Sequence, residues 1–121
     1  MAILSIDHVN LAGDAALMEE CRRFYVDILG LEEGHRPPFR SRGFWLYANG
    51  NPIVHLTVTA DEAGPTGAFN HVALACSDAP AMIARLRNAN VEHRVTGVPD
   101  GGATQIFLRD PAGVAVELNF T

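Results

Sequence analysis

The chain repeats itself, and that repeat limits its fold more than any other feature. Asp7-His8-Val9-Asn10-Leu11-Ala12-Gly13 is matched by Asn70-His71-Val72-Ala73-Leu74-Ala75-Cys76. Each copy then closes on a similar apolar stretch, Ile53-Val54-His55-Leu56-Thr57 in the first and Ala115-Val116-Glu117-Leu118-Asn119 in the second. An internal repeat of this kind marks two copies of one supersecondary unit, so the architecture has to be built from that unit. It also selects four side chains. Each copy has a His near its start and a potential metal ligand near its end: His8 with His55, and His71 with Glu117.

Between these landmarks the same order of elements appears twice. A strand from Ile3 to Ala12 precedes a helix capped by Asp14 and running to about Leu29, with Leu17, Cys21, Phe24, Tyr25 and Ile28 on its apolar face. Gly30 ends the helix, Leu31 to Arg36 is a short strand, and Pro37-Pro38 breaks it. Phe44 to Ala48 and Ile53 to Thr59 form a hairpin across Asn49-Gly50-Asn51. Ala60 to Gly67 links the copies. The second copy has a strand over Phe69 to Cys76, then a helix opened by Ser77-Asp78 and Pro80 and ending near Asn90. A strand over Val91 to Val98, a loop over Pro99 to Gly102 and two strands, Thr104 to Arg109 and Val114 to Phe120, complete it. The chain is expected to be one domain, 1–121, made of βαβββ modules over 1–63 and 64–121.

Side chains two apart on a strand share a face. His8, His55, His71 and Glu117 all fall on the small or polar face of their strand, opposite Val9, Val54, Val72 and Val116. The aliphatic face is expected to pack on the helices and the other face to line a cavity. Trp45, Tyr47, Gln105, Phe107 and Arg109 should face that cavity too. Two imidazoles and a carboxylate on one buried face serve no purpose in folding, because unpaired polar burial is costly. Nitrogen and oxygen donors of this kind suit divalent ions.

Composition removes other classes. With 121 residues, 48% hydrophobic, the chain can bury a core of its own. A formal net charge of −5 argues against a nucleic-acid partner. All nine basic residues are Arg, which excludes Schiff-base and P-loop lysine chemistry. No run approaches membrane-spanning length, the expected location is cytoplasmic, and Cys21 and Cys76 are expected to be reduced. His35 and His93 lack matched partners and are expected at the surface. Arg36, Arg40 and Arg42 flank a solvated loop, and Gly101-Gly102 opens no helix that could cradle phosphate.

The double βαβββ with His or Glu on the first and last strand of each module resembles the vicinal oxygen chelate superfamily. That superfamily includes glyoxalase I, extradiol dioxygenases, fosfomycin-resistance enzymes and bleomycin-resistance proteins. Phe24-Tyr25 with Leu29-Gly30-Leu31, and Phe107-Leu108-Arg109-Asp110-Pro111-Ala112-Gly113, carry the same resemblance, which covers the whole chain. It implies an α+β fold in which the two modules form an eight-stranded, cup-shaped half-open barrel with helices outside. It further implies a homodimer and a divalent ion, Fe(II), Mn, Ni, Co or Zn, as cofactor for a small-molecule substrate.

By the same resemblance, His8, His71 and Glu117 match the ligand set of the extradiol enzymes, and His55 takes the fourth position. That position is a metal ligand in glyoxalase-like members and an acid/base His in extradiol members, so both roles stay open for His55. Substrate contacts would fall to Tyr47, Arg109, Trp45 and Phe107. Such a site, with a net formal charge of about +1, favours a substrate held through two adjacent oxygens and developing negative charge. The absence of a second carboxylate tilts the reading toward extradiol dioxygenase chemistry over a glyoxalase I-like lyase, isomerase or epimerase. A drug-binding dimer without catalysis is the alternative of a different class. A thiol-transferring fosfomycin enzyme would want lysines at its anion site, and this chain has none.

Overall fold

A computed structural model describes residues 1–97 and 104–120. The chain divides into two compact units, Met1–Ala63 and Gly64–Thr121. Each holds a four-stranded mixed sheet with helical structure after its first strand, giving βαβββ twice in an α+β fold. The expected end of a strand at Val98, the Pro99 to Gly102 loop and the Gly101-Gly102 pair lie outside the described residues. No helix among the described residues is long and apolar enough to cross a membrane.

In the first unit, β1 (Val9–Gly13) lies parallel to β4 (Asn51–Val58), which pairs antiparallel with β3 (Gly43–Ala48) and so leads on to β2 (Glu32–Gly34). The ladder of β1 starts at Val9, later than the sequence suggests. Val9 sits opposite Val54, and β4 begins only three positions earlier at Asn51. Residues before His8 therefore run toward the end of their partner, and Ile3, Leu4 and Ile6 are 97%, 92% and 87% exposed. The hairpin turn is as expected: Asn49 and Gly50 have φ of 50° and 78°. Positive φ at both central residues is what a tight hairpin with right-handed strand twist needs.

The helix α1 (Ala15–Arg23) is capped by Asp14, whose carboxylate accepts from Leu17 N–H at 2.9 Å. Its last stretch, Phe24–Ile28, widens into a π-helical turn, with Leu29 N–H donating to the Phe24 carbonyl. The widened turn lets two adjacent aromatics, Phe24 and Tyr25, both point inward, edge to face at 5.2 Å. The buried stripe is Met18, Cys21, Phe24 and Tyr25, with Leu17 and Ile28 only half-buried beside it. It packs with Leu46, Val54 and Leu56 to form the core of this unit.

In the second unit, β5 (His71–Cys76) runs parallel to β8 (Ala115–Phe120), followed by β7 (Thr104–Arg109) and β6 (His93–Gly97). The same end effect shortens β5. His71 is opposite Ala115, the first residue of β8, so Phe69 lies beyond the ladder and is 52% exposed. The helix α2 (Ala79–Asn88) is capped by Asp78, which accepts from Ala81 N–H at 3.2 Å, and Pro80 occupies its first turn. Met82 and Leu86 of α2, with Ile106, Leu108, Val116, Leu118 and Phe120 of β7 and β8, are the buried hydrophobic residues of this unit. Of the valines opposite the nominated ligands, Val54 and Val116 are on the packed side, each 1% exposed, whereas Val9 and Val72 are only half-buried.

Candidate metal centre

His8 and His55 come together within the first unit. Their rings stack at 3.8 Å between centroids, tilted by 13°. Trp45 lies across the ladder from His55 and stacks on its other side at 4.0 Å and 11°. His55 is therefore sandwiched between an imidazole and an indole, and only 8% of it is exposed. Its Nε2–H donates to the Pro52 carbonyl at 3.0 Å, since a carbonyl can only accept; Nδ1 then keeps the lone pair. Burial holds the His55 pKa below the usual imidazole value. The neighbouring His8 pushes the same way, and the Pro52 carbonyl partly offsets both.

A metal–imidazole bond lies in the plane of the ring. Two rings 3.8 Å apart and tilted by 13° have planes that do not meet within coordination distance. As stacked, only one of His8 and His55 can present its lone pair to a given ion. His8 is the better prepared. Its Nδ1–H donates to the Asp7 carboxylate at 2.8 Å, which fixes the tautomer and leaves the Nε2 lone pair free.

The second unit repeats that device. His71 Nδ1–H donates to Asn70 Oδ1 at 2.8 Å, again from the preceding residue, and again Nε2 is left free. That Nε2 stands 3.8 Å from Glu117 Oε1, the His71 side chain 44% exposed and the Glu117 side chain 12%. A nitrogen and a carboxylate oxygen at this separation, on adjacent paired strands, are close enough for a small closure to bring both within about 2.1 Å of one ion. The donor chemistry thus fits a divalent ion. Among the described residues no group of three or more His, Cys, Asp or Glu is placed to hold one, so the donors stand as one pair in each unit.

The four residues expected to touch substrate behave differently from one another. Trp45 lies flat on His55, and Phe107 sits directly across the ladder from Glu117. Tyr47 follows a bulge after Leu46, and its hydroxyl donates to the His35 carbonyl at 2.6 Å, so its polar end is committed to the backbone. Arg109 donates to the Gly113 carbonyl at 2.8 Å and so braces the β7–β8 turn, while still lining a groove of about 790 Å³ with His71 and Phe107. His35 is exposed, and His93 is half-buried with its Nδ1–H on the Val91 carbonyl. Arg36 is tied to Ser41, through its carbonyl and its hydroxyl.

Sequence reasoning did not assign roles to Asp7, Asn70 or the Pro52 carbonyl. For Asp7 and Asn70 the signal was present: a short side chain with an acceptor oxygen precedes the His in both copies of the repeat. Pro52 gives no such signal, because its contribution is a backbone oxygen.

A profile of the Glyoxalase/Bleomycin resistance protein/Dioxygenase superfamily matches residues 5–118, and the chain belongs to that superfamily. No curated protein matches the chain. Among solved structures it is similar to a glyoxalase family protein from Bacillus anthracis, with a TM-score of 0.81 and 23% identity, covering 100% of this chain and 98% of that one. The fosfomycin resistance protein FosX of Listeria monocytogenes superposes with a TM-score of 0.75 at 17% identity, over 99% and 95% of the two chains. The lactoylglutathione lyase of Agrobacterium tumefaciens does so with a TM-score of 0.70 at 21%, over 96% and 92%. A further FosX structure contains Mn(II) and a dihydroxypropylphosphonic acid.

Proposed function

We propose that this protein is a divalent-metal-dependent enzyme acting on a small substrate held through two adjacent oxygens, with extradiol dioxygenase-like chemistry favoured. In this reading His8, His71 and Glu117 are the metal ligands and His55 is the acid/base residue, in a homodimer. The observation that carries it is the Trp45–His55–His8 stack. It offers one imidazole for coordination and holds the other off, with its Nε2 already engaged by Pro52.

When bound, the ion supplies Lewis acidity that favours ionisation of the two chelating oxygens. The protein's own residues do the rest. His55 enters neutral, because burial and His8 both disfavour its charged form. Its Nδ1 can then take a proton from a substrate hydroxyl, and the same two influences favour its return. Trp45 fixes the plane in which that lone pair points, and the Pro52 carbonyl fixes the tautomer. Asp7 and Asn70 do the same for His8 and His71.

The test is anaerobic reconstitution with Fe(II), Mn, Ni, Co or Zn, followed by oxygen uptake with catechol. In parallel, turnover of the hemithioacetal of methylglyoxal and glutathione is measured. Oxygen uptake that needs Fe(II) or Mn is the expected result. Hemithioacetal turnover without oxygen uptake would instead establish the lyase reading. Failure of the protein to hold any of these ions would favour the drug-binding alternative; an antibiotic binding protein from Streptomyces, TnmS3, shares the fold with a TM-score of 0.66.

A further inference from the structure

Strand register places three side chains in a row on one face of the second sheet. Glu117 on β8 is opposite Phe107 on β7, and Phe107 is opposite Arg94 on β6. The Arg94 guanidinium lies over the Phe107 ring, 4.9 Å from its centroid. At roughly 4.8 Å per strand step, its backbone is about 10 Å from that of Glu117. Among the described residues the Arg94 side chain has the Phe107 ring as its contact and makes no hydrogen bond or ion pair, although Glu92 lines the same groove. The matching position in the first unit, opposite Trp45, is Gly34, where an added Cβ would come within 2.8 Å of the Tyr47 ring. The βαβββ frame therefore does not require an arginine there.

We propose that Arg94 is a specificity-determining residue that binds a carboxylate on the substrate. The substrate class is then a planar compound with two adjacent oxygens at one end and an anionic group at the other, lying along Phe107. This rests on the reading of His71 and Glu117 as ligands. A cation–π contact at an exposed site is weaker than a hydrogen bond to a charged group. Arg94 is thus held loosely enough to turn from the ring to an arriving carboxylate, with a geometry suited to bidentate pairing.

The test compares catechol, 3,4-dihydroxybenzoate and benzoate by calorimetric titration of Mn(II)-loaded protein. 3,4-Dihydroxybenzoate should bind at least about tenfold tighter than catechol, as a charge-assisted contact implies. Arg94→Gln should erase that preference and leave the affinities for catechol and Mn(II) unchanged, and Arg94→Lys should restore part of it. A preference that survives in Arg94→Gln overturns the proposal. The two readings fail separately. Catechol binding indifferent to Glu117→Ala would sink the metal-site reading, whereas benzoate binding to metal-free protein that is lost in Arg94→Gln would still support Arg94 as the anion contact.

Discussion

The two modules place equivalent residues in equivalent register, yet they build different half-sites. His55 on β4 is flanked across the ladder by Asn10 and Trp45, and Glu117 on β8 by Ala73 and Phe107. In the first module the large neighbour lies flat on the donor and the His at the strand entrance stacks on its other side. In the second, Phe107 is covered by Arg94, and Glu117 is left facing His71. The lesson is that duplication preserves where a side chain starts, while its neighbours decide what it can do. In the proposed function, the His packed between two rings serves proton transfer and the carboxylate beside a free Nε2 serves coordination.

The largest effect that could break this contrast is on metal affinity. Glu117→Ala and His71→Ala should each weaken Mn(II) or Zn(II) binding by at least about 100-fold, more than the 10–100-fold typical of groups that only support a ligand. His55→Ala should shift it by less than about threefold while abolishing turnover, because an acid/base residue acts on the substrate proton. Calorimetric titration of the four proteins decides this. Equal losses in His55→Ala and Glu117→Ala would put both in contact with the ion and return the chemistry to the lyase branch.

A smaller contrast lies in the hairpins that deliver these donors. In the first module, β3 and β4 are joined by Asn49-Gly50, which works through backbone conformation. In the second, Asp110 organises the turn with its side chain, accepting from Ala112 N–H and Val114 N–H at 2.9 Å each, and is only 4% exposed. Removing a buried acceptor leaves donors unpaired, so Asp110→Ala should cost about 1–3 kcal/mol. Gly50→Ala meets no steric neighbour and carries only the left-handed backbone penalty, about 1 kcal/mol. Urea denaturation of the two variants should show that order; equal losses would mean that the turns are equivalent, and the reverse order that the Asp110 bonds contribute less than the Gly50 backbone conformation.

Much of this was legible because strands and turns write themselves locally. The repeat, the strand faces, the Asp14 and Asp78 caps and the Asn49-Gly50 turn all depend on residues within a few positions. Strand starts were not legible, because His71 begins its ladder at the first residue of β8 and Val9 begins its own opposite Val54, near the start of β4, both set by partners far away in sequence. The π-helical turn escaped for a similar reason: burying Phe24 and Tyr25 together is a demand of packing that an α-helical pattern does not encode. The nominated donors did pair within each module. The division of labour proposed for them rests on ring stacking and a carbonyl bond, and neither can be read from spacing.

The smallest effect concerns pH. The folded state holds the His55 pKa below the usual value of 6.5, through burial first and then the nearby His8, with Asp7 and Pro52 opposing and Arg36 assisting slightly. In metal-free protein, the unfolded chain therefore binds more protons than the folded one as pH falls through 6.5. Stability must then drop over that range and level off once the folded form also protonates. Replacing His55 by Phe keeps an aromatic ring between Trp45 and His8 but removes the titrating group. Comparing unfolding free energies at about pH 7.5 and pH 5.5, the variant should lose less stability than the native chain, which is the sign that linkage to a depressed imidazole pKa requires. Identical losses would show that His55 charges as easily folded as unfolded, and the distinction between a proton-transfer half-site and a coordinating one would lose its electrostatic basis.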